Sequence, residues 1–307
     1  MSGTDAARYA PEWLALREGA DAAARSPELL APLRRQLALS ARATDPPERG
    51  EALVIRDLGC GTGAMGRWLA PRLNGPQHWI LHDRDPDLLE LAAARMPRTA
   101  AGGSRVTVTS ERGDITHLTA DGLCGTSLVT ASALLDLLTR DELDALAAAC
   151  AGAGCPALLA LSVVGRVDLT PDDPLDAEIA EAFNSHQRRE DQGRRLLGPD
   201  AVAAASVSFA RHGMTVRAHN SPWRLGHGPP VPPGGQDRPA PGDDGSALMA
   251  EWLHGWVDAA VEQSPELAPR AHAYLRRRLA ACEEGELRVV VHHSDILALP
   301  CPTGDAS

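Results

Sequence analysis

The chain has 307 residues, a formal net charge of −11, 3% aromatic residues and no lysine. Without a primary side-chain amine it cannot build a lysine phosphate cradle, a Schiff base or a lysine nucleophile. No stretch concentrates arginine enough to offset the acidic balance over a nucleic-acid footprint, so no nucleic-acid partner is expected. No charged start followed by an apolar run marks a secretory signal, and no apolar stretch approaches a membrane span. A cytoplasmic protein with no membrane partner is therefore expected. The six cysteines do not form a disulfide framework, and no His, Cys or carboxylate cluster has ligand spacing, so no metal is expected.

Residues 1–45 suggest two helices. One runs from Pro11 to about Arg25 with Trp13, Leu14 and Leu16; the second opens at Ser26-Pro27-Glu28 and carries Leu29, Leu30, Leu33 and Leu37. Thr44 to Gly50 is a polar, proline-bearing linker. Val54 to Leu58 then reads as an apolar strand that includes Asp57 and turns through Gly59, Gly61 and Gly63. A helical pattern follows, with Met65, Trp68, Leu69 and Leu73 on one face. Glycine suits such a turn because the chain bends sharply and lets a ligand approach its backbone.

Gly61 to Gly66 also satisfies the dinucleotide pattern Gly-x-Gly-x-x-Gly. A pyrophosphate over this turn would be repelled by the carboxylate of Asp57, two residues before the first glycine. S-adenosyl-L-methionine (SAM) carries no phosphate, and its ammonium and sulfonium tolerate a nearby negative charge. The stretch Asp57-x-Gly59-x-Gly61-x-Gly63 resembles motif I of the class I SAM-dependent methyltransferases.

His78 to His82 forms a second strand leading into Asp83, twenty residues beyond Gly63, the spacing at which a carboxylate meets a ribose diol. Asp85 competes for that role, but Pro86 after it marks it as the cap of a helix with Leu88, Leu89 and Leu91. Val106 to Thr109 is a third strand, and the resemblance places Asp114 on the adenine amino group and Ile115 against the ring. Ser127 to Asp136 reads as a fourth strand leaving the sheet, with Thr130 in the expected cofactor set. Thr139-Arg140-Asp141-Glu142 opens the next helix, and Ala157 to Val164 is a fifth strand, apolar as in a sheet covered on both faces. This alternation predicts an α/β, doubly wound, mostly parallel sheet with ligands at the carboxyl ends of its strands. The resemblance also implies that residues 1–45 lid the cofactor. Arg17 there is either a surface residue or within reach of the cofactor carboxylate.

From Arg166 to Pro199 the chain turns polar, and the resemblance makes 166–199 the acceptor-binding segment. His186, Arg188, Arg194 and Arg195 there suit a carboxylate or phosphate; a solvated helix face is the equal alternative. A helix from Asp200 to His212 leads to a sixth strand, Met214 to His219. Gly226 to Gly245 is a proline- and glycine-rich linker, followed by a helix with Trp252 and Trp256 on its apolar side, a second helix from about Pro269 to Glu284, and a last strand, Leu287 to His292. The resemblance implies a seven-stranded sheet ending in an antiparallel pair, within a domain of residues 46–304 and with 222–285 as an insertion. The function expected is SAM-dependent methyl transfer to a small molecule by in-line displacement, an anionic one if the arginines face it, with Asp136 and His186 as candidate bases. The alternatives are a non-catalytic SAM-binding regulator and an NAD(P)-dependent oxidoreductase. The oxidoreductase is disfavoured by Asp57 and by the missing Tyr-x-x-x-Lys pair.

Overall fold

A computed structural model describes residues 10–43, 52–226 and 245–301; both expected linkers, 44–50 and the stretch within 226–245, lie largely outside them. Helices α1 (Pro11–Ala24) and α2 (Leu30–Ala43) precede strand β1 (Leu53–Leu58). There follow α3 (Ala64–Leu69), β2 (Gln77–Asp83), α4 (Pro86–Arg95), β3 (Val106–Arg112), β4 (Leu128–Ser132), α5 (Arg140–Gly152) and β5 (Ala157–Thr170). Then come α6 (Asp176–Gln187), a two-stranded hairpin of β6 (Glu190–Asp191) and β7 (Arg194–Arg195), α7 (Ala201–Arg211), β8 (Met214–Asn220) and β9 (Trp223–Leu225). The chain closes with α8 (Ser246–Gln263), α9 (Ala268–Glu283) and β10 (Arg288–Pro300).

The main sheet runs β3-β2-β1-β4-β5-β10-β8, parallel from β3 to β5 and antiparallel where β10 meets β5 and β8. It is doubly wound, as the alternation of strands and helices requires. It has eight strands rather than the expected seven, because β9 also pairs with β10, Trp223 opposite Val291, just beyond the end of β8. Ser221-Pro222 separates the two edge strands, and proline has no N–H to give the ladder.

Two strands are longer than their apolar runs predict. β5 continues to Thr170, its second half alternating between buried and exposed residues, and β10 continues through the buried residues His293, Ser294 and Asp295. Each supplies the other's ladder, with Val167 opposite Val291 and Leu169 opposite Val289. Part of the segment expected to bind the acceptor is therefore strand.

One sheet face packs on α2, α3 and α4 through Leu33, Leu69, Trp79 and Ala92, and the other on α5 and α7 through Leu146, Leu159 and Phe209. The second half of β5 and the first part of β10, with β9, carry a third core against α6, α8 and α9. Trp252 and Trp256 stack there at 5.0 Å, which makes them core residues of the insertion.

Candidate active site

The turn after β1 meets its steric demands with glycine. Gly59, Gly61 and Gly63 all adopt left-handed φ values of 58°, 53° and 82°. A Cβ on Gly59 would lie 3.0 Å from Leu134, and one on Gly61 3.3 Å from Leu14. Asp57, one residue before the end of β1, is 1% exposed; one carboxylate oxygen accepts from Thr130 Oγ1 at 2.7 Å, and the other, Oδ2, has no partner. Burial raises its pKa to about 7, against the Thr130 hydrogen bond and the charge of Arg25. Thr130, expected to line the cofactor, is fully buried and reaches the site only through Asp57.

Asp83 stands across the turn at the end of β2. Its Oδ2 accepts the Gly61 N–H at 2.9 Å and its Oδ1 the Asp85 N–H at 3.0 Å. A carboxylate oxygen has two acceptor sites, so each retains capacity toward a ligand. Asp85 caps α4 through the N–H groups of Asp87 and Leu88. Asp114 is exposed and accepts from the Thr116 N–H and hydroxyl, while Ile115 is half-buried against the α5 side of the sheet.

Helix α1 lies over this turn. Leu14, Glu18, Asp21 and Arg25 follow at steps of four, three and four residues, the spacing of one helical face. Leu14 sits above Gly61. Glu18 takes the guanidinium of Arg67 from α3 with both oxygens at 2.7 Å, and that same guanidinium donates to the Thr62 carbonyl. Asp21 accepts from Trp223 Nε1 at 3.0 Å and from Arg17. Arg25 is 3% exposed and donates to Ser132 Oγ, at the end of β4, at 3.1 Å. Arg17 is committed to Asp21 and to the face of Trp223, with its guanidinium carbon 4.8 Å from the ring centroid. Glu18, Arg25 and Arg67 escape sequence reading because hydrophobic periodicity registers only apolar positions.

Asp136 lies half-buried in the short turn Leu135–Leu137 that follows β4. Burial pushes its pKa up, against a backbone hydrogen bond and the charges of Arg17 and Arg189. His186, in the last turn of α6, is lowered by burial and then by Arg189. Asp136 and His186 thus share Arg189 as a charged neighbour.

Two of the three arginines expected to face the acceptor are otherwise engaged. Arg188 binds Asp200 with two hydrogen bonds, at 2.8 and 2.9 Å. Arg194 binds Glu142 at 2.9 and 2.7 Å and the Leu137 carbonyl at 3.2 Å. Both forks are occupied by acids of the chain itself, the planar pairing that guanidinium favours. Arg195 is exposed on its short strand.

Residues 55–154, which span β1 to the end of α5, match the methyltransferase domain family. Those residues, about a third of the chain, carry the methyltransferase match. No curated protein sequence matches it. Among solved structures it resembles a candidate methyltransferase from Bacillus halodurans, at 14% identity and a TM-score of 0.43 over 88% of this chain and 96% of that one. It also resembles the magnesium protoporphyrin IX methyltransferase of Synechocystis with bound S-adenosylhomocysteine (SAH), at 14% identity and a TM-score of 0.37 over 63% and 76%. A third is the Haemonchus contortus phosphoethanolamine N-methyltransferase 2 in complex with phosphomonomethylethanolamine and SAH, at 13% identity and a TM-score of 0.43 over 97% and 60%.

The atoms around this turn suit SAM. An unpartnered, buried carboxylate oxygen on Asp57 answers a cationic group, and the twin oxygens of Asp83 answer a diol. The same Asp57 oxygen would oppose a pyrophosphate. Among the described residues, no group of three or more His, Cys, Asp or Glu side chains is placed to hold a metal, and no helix is long and apolar enough to cross a membrane.

Proposed function

We propose that this methyltransferase acts on a small, cytoplasmic acceptor bound where α1, the turn after β4 and the end of α6 converge. The cofactor contributes the methyl group. Asp57 and the turn of Gly59, Gly61 and Gly63 receive its amino-acid end, Asp83 its ribose, and Asp114 with Ile115 its adenine. Residues 1–45 act as a lid and 166–199 as one wall of the acceptor pocket. The observation that carries this reading is the half-buried Asp136 in the turn after β4, with its pKa raised by burial and the charges of Arg17 and Arg189 acting on it.

A carboxyl raised by burial binds a proton more readily than an exposed one, which suits it to take the proton of a hydroxyl or amine as the new bond forms. His186 is the second base candidate. Arg189 takes over the anion-binding role that the sequence assigned to Arg188, Arg194 and Arg195. Among the described residues its guanidinium donates to the His186 carbonyl, at 3.2 Å, and its remaining side-chain N–H groups favour an anionic acceptor. The test is a screen of cell extracts with methyl-labelled SAM, followed by kinetics on the acceptor found. Asp136→Asn should lower kcat by at least about tenfold with SAH affinity unchanged, and Arg188→Gln should leave both unchanged. Wild-type kcat in Asp136→Asn would remove Asp136 from the chemistry.

A further inference from the structure

The imidazole of His293, in β10, is a buried polar group that the chain itself leaves unsatisfied. The residue is 4% exposed, its Nδ1 is sealed from solvent without a partner, and among the described residues no well-formed hydrogen bond engages either ring nitrogen. Burial holds its pKa down at about 3, and the charge of Arg17 pushes the same way against the Val291 backbone. The ring is therefore neutral at neutral pH. A neutral imidazole carries one N–H and one lone pair, and here both are unspent. Val289 and Val291 fill the same strand with apolar side chains, so a histidine kept among them costs stability that a hydrocarbon would not.

Its position in the sheet is on the ligand side. The parallel ladder between β4 and β5 ends at Ser132 opposite Ala160, whereas His293 stands opposite Val163, three residues further along β5. It lies beyond the carboxyl end of β4, where an open α/β sheet binds its ligands. The ring packs on Trp223 with centroids 5.3 Å apart, and the Arg17 guanidinium carbon is 4.8 Å from the Trp223 centroid. Arg17 also acts on Asp136, which links β10 to the turn after β4. We propose that His293 binds the methyl acceptor, its imidazole hydrogen-bonding the hydroxyl or amine that is methylated while Trp223 fixes the orientation of the ring. The inference rests on the acceptor site proposed above and deepens it. The nucleophile's lone pair bonds to the methyl carbon as the carbon–sulfur bond of SAM breaks, its proton passes to the Asp136 carboxylate, and SAH leaves. A group with a hydrogen to share, O–H or N–H, is thereby selected over a tertiary amine or a thioether.

The test uses methyl-labelled SAM with cell extract as the source of acceptor, scoring label in the small-molecule fraction, beside SAH calorimetry and thermal melts. His293→Phe keeps a ring against Trp223 and removes both nitrogens. It should lower labelled product by more than about tenfold, leave SAH affinity within about twofold and melt no lower than wild type. His293→Gln, which restores a donor and an acceptor, should recover part of the labelling. If the bulkier phenylalanine melts well below wild type, His293→Leu takes its place under the same criteria. Labelling within about twofold of wild type, or a loss of SAH affinity as large as the loss of labelling, would overturn the proposal and leave His293 a core residue. A wild-type protein that binds SAH but labels no small molecule would overturn the acceptor reading itself, and this proposal with it.

Discussion

Asp57 separates two cofactor classes in the sequence, and its environment adds a consequence that the sequence does not carry. An exposed aspartate titrates near 4, whereas burial holds Asp57 at about 7 in the folded chain. A carboxyl whose pKa rises on folding keeps its proton longer in the native state. Its favourable contribution is full below the unfolded value and is lost as pH climbs through the folded one. Asp57→Asn removes this titration, so its Tm relative to wild type should rise progressively from about pH 5 to about pH 8. Thermal melts across that window make the measurement, and a Tm difference that stays flat with pH would show that Asp57 is ionised throughout. At the same scale, a motif or a strand end marks Asp57, Asp83, Asp114 and Asp136 in the sequence. Nothing marks Arg25 there, because its burial and its two nitrogens without partners are three-dimensional properties.

At the scale of elements, local signals were read well where they are self-contained. Thr139 and Glu142 form the reciprocal capping box that their spacing suggests. Asp85 caps α4, leaving Asp83 to face the turn. The two aspartates should therefore separate in mutagenesis. Asp83→Ala should weaken SAH binding by more than about tenfold with the fold retained, whereas Asp85→Ala should lower stability by about 1 kcal/mol through loss of the cap and leave SAH affinity unchanged. Calorimetry paired with chemical denaturation measures both; a large affinity loss in Asp85→Ala alone would move the ribose to that residue. The second half of β5 escapes the sequence reading because Arg166 and Asp168 lie on its exposed face, so the stretch joins the polar segment that follows it. Its partner β10 lies more than a hundred residues away, and the ladder between them cannot be read from either segment alone. The arginine-rich stretch was ambiguous for a related reason, since Glu142 and Asp200, which occupy Arg194 and Arg188, are separated from them in sequence by 52 and 12 residues.

At the scale of the whole molecule, a parallel sheet brings the ends of β1, β2 and β4 together, and α1 lies over the turn after β1. Sheet order follows from the alternation of strands and helices, so the cofactor side was legible in outline. The insertion was legible as two helices, but its packing onto an extension of β5, β9 and β10 depends on contacts between distant parts of the chain. The central claim is that this assembly binds SAM, with an acidic residue under the turn that a dinucleotide would not tolerate. Titration calorimetry of the metal-free protein with SAH and, separately, with NADH tests it most directly. The account predicts saturable one-to-one binding of SAH and none of NADH; tight binding of NADH with no binding of SAH would contradict it.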